Sequence, residues 1–239
     1  MKMITLQIWI FTCLLSLLSC ENDNLTIASG DIEIKIEAGE HWLHNFPLFL
    51  GLTKENPPQF AIWIEDTSGN YVSTVFVTHK IACEEWQSNK GNRRKESLPH
   101  WCHQRGVVYD DGLLLPTKEQ PLTDGITGAT PKEDKTIVIT QINLKKPFVI
   151  EAEFNHSVDF NNDYPKNAKE GDEAYSGGSE GSGQPAVIYA ATIYPETKNA
   201  FLELIGHSSP DGSNGKIYPE LQNLTSAKSI VESIYLTIK

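Results

Sequence analysis

Cysteine is scarce in this chain, positive charge is outnumbered, no apolar run is long, and no stretch sustains a helical period. Each shortage excludes something. The four cysteines include no C-x-x-C pair, so the common zinc spacings and the C-x-x-C-H of covalent haem are missing. Against 31 Asp and Glu stand 20 Lys and Arg, a net charge of −11. That balance repels phosphate backbones and argues against a nucleic-acid partner. The apolar run from Ile8 to Leu18 is too short to span a bilayer as a helix. There is no G-x-S-x-G, no strand-to-helix G-x-G-x-x-G, no internal repeat and no recognisable Ser/His/Asp set. What is present is ordinary for a globular protein: 39% apolar and 21% charged residues, in a chain long enough to bury a core.

The first nineteen residues read as a signal peptide. Lys2 provides the positive start, Ile8–Leu18 the apolar centre, and Leu17-Leu18-Ser19-Cys20 the end. That ending resembles a bacterial lipobox, which implies cleavage before Cys20 and lipidation of its thiol. Residues 20–30 are then a tether, and 31–239 a single domain held at the cell envelope, periplasmic or outer-surface. Removing residues 1–19 takes away one charge, Lys2, so −11 becomes −12. An acidic protein is repelled by anionic headgroups, so the lipid must do the anchoring. Of the remaining cysteines, Cys83 and Cys102 are expected to pair in an oxidising compartment.

Strand patterns dominate the rest. Residues 31–37 alternate isoleucine with charge; 59–66 and 71–78 are joined by Ser68-Gly69-Asn70 as a hairpin. Further strands are expected over 136–142, 147–154, 186–193, 200–206 and 229–238. Between 80 and 106 the strand period lapses, with a helical turn near 98–104. Residues 159–185 form a long Gly/Ser/Asn/Asp-rich loop, and 176–183 (SGGSEGSG) reads as its flexible part. About eight short strands with turns between them suggest an all-β fold, an antiparallel immunoglobulin-like β-sandwich with long loops.

One loop is unusual. Asp124-Gly125-Ile126-Thr127-Gly128-Ala129-Thr130 places two hydroxyls around the two smallest residues. It resembles the flavinylation motif of bacterial electron-transfer subunits, related to the Na⁺-translocating quinone reductase. The resemblance implies that a flavin transferase moves FMN from FAD onto the Thr130 hydroxyl as a phosphoester. Asp124 would help position the loop, while Gly128 and Ala129 keep the approach open beside Thr127. Pro131 departs from the usual pattern. A purely structural turn remains the alternative reading, because Gly-rich turns need no chemistry.

Longer landmarks point the same way. Residues 60–75 (FAIWIEDTSGNYVSTV), 97–101 (SLPHW), the motif itself, 151–161 (EAEFNHSVDFN) and 183–193 (GQPAVIYAATI) resemble domain-of-unknown-function family 2271, predicted periplasmic proteins. That resemblance implies an immunoglobulin-like fold and association with flavin transferases and membrane redox proteins. It implies no assigned activity, so the enzyme question stays open, with a redox carrier or binding module favoured. If FMN is attached, His156, Tyr164, Tyr189 or Trp101 are the candidates to flank its ring.

Two further constellations carry weaker expectations. Asp159, Asn161 and Asp163, with Glu170, occupy positions 1, 3, 5 and 12 of a calcium-loop pattern, but Tyr164 stands where the turn wants glycine. A looser Ca²⁺ site on Asp159, Asn161 and Asp163 remains, serving a non-catalytic binding or assembly module. His79, Cys83, His100, Cys102 and His103 are metal-ligand types without a metal-site spacing.

Overall fold

The computed structural model describes residues 32–47, 49–84, 93–123, 125–139 and 146–239. Cys20 and Asp124 lie outside them. The fold is an all-β sandwich.

Its first strand, β1 (Ile32–Ala38), forms as the alternation demands: Ile32, Ile34 and Ile36 are all fully buried. On one side β1 pairs with β12 (Val231–Ile238), Ile34 opposite Leu236; on the other with β7 (Lys135–Ile139), Ile34 opposite Ile137. β10 (Asn199–Phe201) completes a four-stranded sheet in the order β10-β12-β1-β7. The second sheet has six strands. Its centre is β4 (Gln59–Asp66) against β8 (Phe148–Asn155). β9 (Val187–Ile193) and β11 (Glu203–His207) continue it on one side, β5 (Tyr71–Thr78) and β6 (Ile126–Gly128) on the other. Phe60, Ile62 and Ile64 of β4 and Ile150, Ala152 and Phe154 of β8 meet the isoleucines of β1 in one core. The Phe60 ring stacks at 4.9 Å on Phe154 and at 5.1 Å on Phe76. The Asp66–Asn70 turn forms as expected, with Asp66 Oδ1 accepting the Ser68 and Asn70 amides.

Several features depart from the sequence reading. β4 and β8 are buried on both faces. A third layer covers the back of the six-stranded sheet: α1 (His79–Cys83), α2 (Pro99–Arg105) and the chain through Leu115 and Leu122 pack on Ala61, Trp63 and Val77. The expected strand 200–206 is two strands, because the chain passes from one sheet to the other at the buried Leu202, whose amide bonds the Ile234 carbonyl. β5 and β6 run parallel, so the sheets are not wholly antiparallel. A small hairpin, β2 (His44–Pro47) with β3 (Thr53–Asn56), was not legible. The glycine-rich loop is packed: Gly183 adopts φ +80°, and a Cβ there would lie 2.4 Å from the Asp159 backbone.

The expected Cys83–Cys102 bridge is not formed, and neither residue is in a disulfide. The irregular segment is tied to the sheet by burial of Ile81, Leu98 and Trp101. Two amides of α2 also donate to Glu153. No helix among the described residues is long and apolar enough to cross a membrane.

Candidate functional site

The Thr130 corner sits at the edge of the six-stranded sheet. β6 lies beside β5 with Phe76, Val77 and Thr78 opposite Ile126, Thr127 and Gly128. Its glycines allow close packing. A Cβ on Gly128 would sit 3.0 Å from the Phe76 ring, and one on Gly125 2.8 Å from Thr74. Ile126, Thr127 and Ala129 are exposed, and Thr130 is half-buried. The Thr130 hydroxyl faces the buried Gln59 carboxamide, at 3.2 Å from Nε2 and 3.4 Å from Oε1. Next along the chain, the Pro131 carbonyl accepts the Trp42 indole N–H at 3.2 Å.

His156 belongs to the same end of the sheet. It follows Asn155, which pairs with Gln59, and its Nε2 donates to the His41 carbonyl at 2.9 Å. A carbonyl only accepts, so Nε2 carries the proton. Burial pushes the His156 pKa down to about 3, with His44 and His41 adding to the effect. The His44 ring is 5.3 Å away. His156 is thus a neutral, buried group, and Tyr164, Tyr189 and Trp101 are also buried. None of the four presents an open ring face to a group carried at the exposed edge.

The residues of the calcium-loop pattern are used separately. Asp159 is buried, with Oδ1 accepting the Ser226 hydroxyl at 2.6 Å. Asn161 Oδ1 accepts the Asp163 and Tyr164 amides, while its Nδ2 donates to the Asn223 carbonyl. Asp163 is exposed. The metal-ligand types near α1 and α2 also part company. Cys83 meets His79 at 3.7 Å, His103 donates to the Pro99 carbonyl, and burial holds the Cys102 thiol well above its ordinary pKa.

The densest chemistry lies in a place the sequence reading missed, between the six-stranded sheet and α2. Trp63 pairs with Glu151 and Ala61 with Glu153 across β4 and β8, so Trp63, Glu65, Glu151 and Glu153 share the back face. α2 covers them and lowers His100 onto Glu151, Nε2 to Oε2 at 2.9 Å. The other imidazole nitrogen, Nδ1, donates to the Gly215 carbonyl at 2.6 Å. Glu65 Oε1 accepts the Trp63 indole at 2.7 Å. Glu153 caps α2, accepting the His100 amide at 3.2 Å and the Trp101 amide at 2.8 Å. All four titratable side chains are buried. Burial raises the Glu65 pKa, and pushes that of Glu153 to about 7. Burial opposes charge on His100, but its hydrogen bond to Glu151 and the charges of Glu153 and Glu151 outweigh that and raise its pKa. One signal for this cluster exists in the sequence. In QFAIWIED the face that carries Glu65 also carries Trp63, and a Trp on the supposed solvent face announces a cover.

Comparison with protein-family models, with curated proteins and with solved structures found no match.

Proposed function

We propose that this chain is a lipid-anchored protein of the bacterial envelope that carries FMN on Thr130 and serves extracytoplasmic electron transfer. The observation that carries the reading is the setting of one hydroxyl. Thr130 is half-exposed at a sheet edge, and the hydrogen bonds of its hydroxyl among the described residues are to the Gln59 side chain alone, at 3.2 and 3.4 Å. Its neighbours Thr127 and Ala129 are exposed, and Lys132 offers an exposed positive charge two residues along from the esterified oxygen. A transferase could engage such an edge strand. The attached group would supply the redox chemistry; the chain's own part is to display the hydroxyl and hold the loop. The partners of this reading are a flavin transferase and a membrane redox protein, with Cys20 as the anchor.

The test is an intact-mass measurement after co-expression with a flavin transferase. The mass rises by one FMN less one water, and Thr130→Ala abolishes the rise. An unmodified wild-type protein under those conditions removes the carrier reading. One observation favours a second reading, a non-catalytic binding or assembly module. A cleft of about 660 Å³ opens between the 163–174 and 207–223 segments, with Tyr164, His207, Tyr218, Asp172 and Asp211 on its walls. Aromatic and acidic groups around such a space suit a polar ligand such as a glycan, or a loosely held Ca²⁺ near Asp163.

A further inference from the structure

The back-face cluster is unusual in charge as well as in burial. Two carboxyl groups, Glu65 and Glu151, gather at the His100 imidazole, and a third, Glu153, accepts the His100 backbone amide. Buried carboxylates need matched charge, because isolated charge in a low dielectric is costly. Glu65 is 3% exposed, and its Oε1 accepts the Trp63 indole N–H.

We propose that Glu65, His100 and Glu151 bind one divalent transition-metal ion, of the zinc or manganese kind, that locks α2 onto the sheet. Each of the three residues offers one ligand atom, and all three atoms lie within 4.8 Å of one another. A tetrahedral ion with bonds of about 2.0 Å sets its ligands about 3.3 Å apart. The His100–Glu151 pair, at 2.9 Å, is already close to that spacing. The Gly215 carbonyl fixes the proton on Nδ1 and turns Nε2 toward the carboxylates, the outer-shell arrangement usual for a ligating histidine. The Trp63 indole does the same for Glu65. One nitrogen and two carboxylate oxygens suit zinc, manganese or ferrous ion better than a softer metal. The ion displaces the Nε2 proton of His100 to solvent, which leaves two ionised carboxylates and a neutral imidazole to match a dication in charge. Three protein ligands leave the fourth tetrahedral position to a water molecule, and the ion's part is to hold α2 on the sheet. The site is separate from Thr130, and its test does not depend on flavin transfer.

The experiment uses the full mature chain, stripped with chelator and titrated with Zn²⁺, and in parallel with Mn²⁺, by calorimetry and thermal melting. One equivalent binds, and at a hundredfold excess over Kd the melting temperature rises by roughly 5–10 °C. Cobalt(II) substitution gives the visible bands of a tetrahedral nitrogen–oxygen site. Glu65→Gln keeps the acceptor for the Trp63 indole and so keeps the fold, checked by circular dichroism; it weakens binding more than tenfold and removes the cobalt bands. His100→Gln behaves likewise. A folded wild-type protein that takes up no ion at micromolar concentrations overturns the proposal, as does binding that Glu65→Gln leaves unchanged.

Discussion

At the scale of the residue, much of this protein's chemistry is ordinary side chains made unusual by burial. His156 is the clearest case. Its ring is neutral, donates to the His41 carbonyl and has a pKa near 3. The unfolded chain binds that proton near pH 6.5. A depressed folded pKa gives stability that is present above the unfolded value and lost as pH falls. The loss should begin near pH 6.5, reach about 2 kcal/mol at pH 5 and continue toward pH 3. Urea unfolding across this range checks it. His156→Gln keeps a donor for the His41 carbonyl but cannot titrate, so its stability should change less over the same interval. Thr130 makes the complementary point. The motif around it was legible letter by letter, but its half-exposure depends on Gln59, Phe76 and Trp42, which come from distant parts of the chain.

At the scale of the element, the decisive strand is β4. Its inner face, Phe60, Ile62 and Ile64, follows from simple alternation. Its outer face would be a solvent face in an ordinary two-layer sandwich, and Glu65 there would need no explanation. The third layer changes that. Trp63 is fully buried between the sheet and α2, and its indole N–H is matched to Glu65. Trp63→Phe deletes that donor and part of the packing, so the metal-free protein should lose at least about 2 kcal/mol in urea unfolding. A loss near zero would mean that this face is open to water. α2 itself was legible as a helical turn near 98–104. Its docking was not, because the partner that caps it, Glu153, lies some fifty residues further along the chain.

At the scale of the whole molecule, two sheets and a covering layer are linked by a few crossing points. The chain changes sheets at Leu202, where β10 ends in one sheet and β11 begins in the other. Leu202 packs in the core shared by both sheets. Leu202→Ala should cost about 2–4 kcal/mol, read as a fall in melting temperature of roughly 5–15 °C. The sequence by itself determined the β class, the positions of most strands and the residues of the inner core, because a strand's alternation is local and repeats every two residues. It also displayed the Thr127–Thr130 motif, since that signal is contiguous. Only the tertiary structure decided that the back of the six-stranded sheet is covered, that one expected strand is split between sheets, and that Glu65, His100 and Glu151 meet. A glutamate facing away from one core looks the same whether water or a second layer lies beyond it. The difference is settled by contacts between residues far apart in the chain, and those leave no period to read.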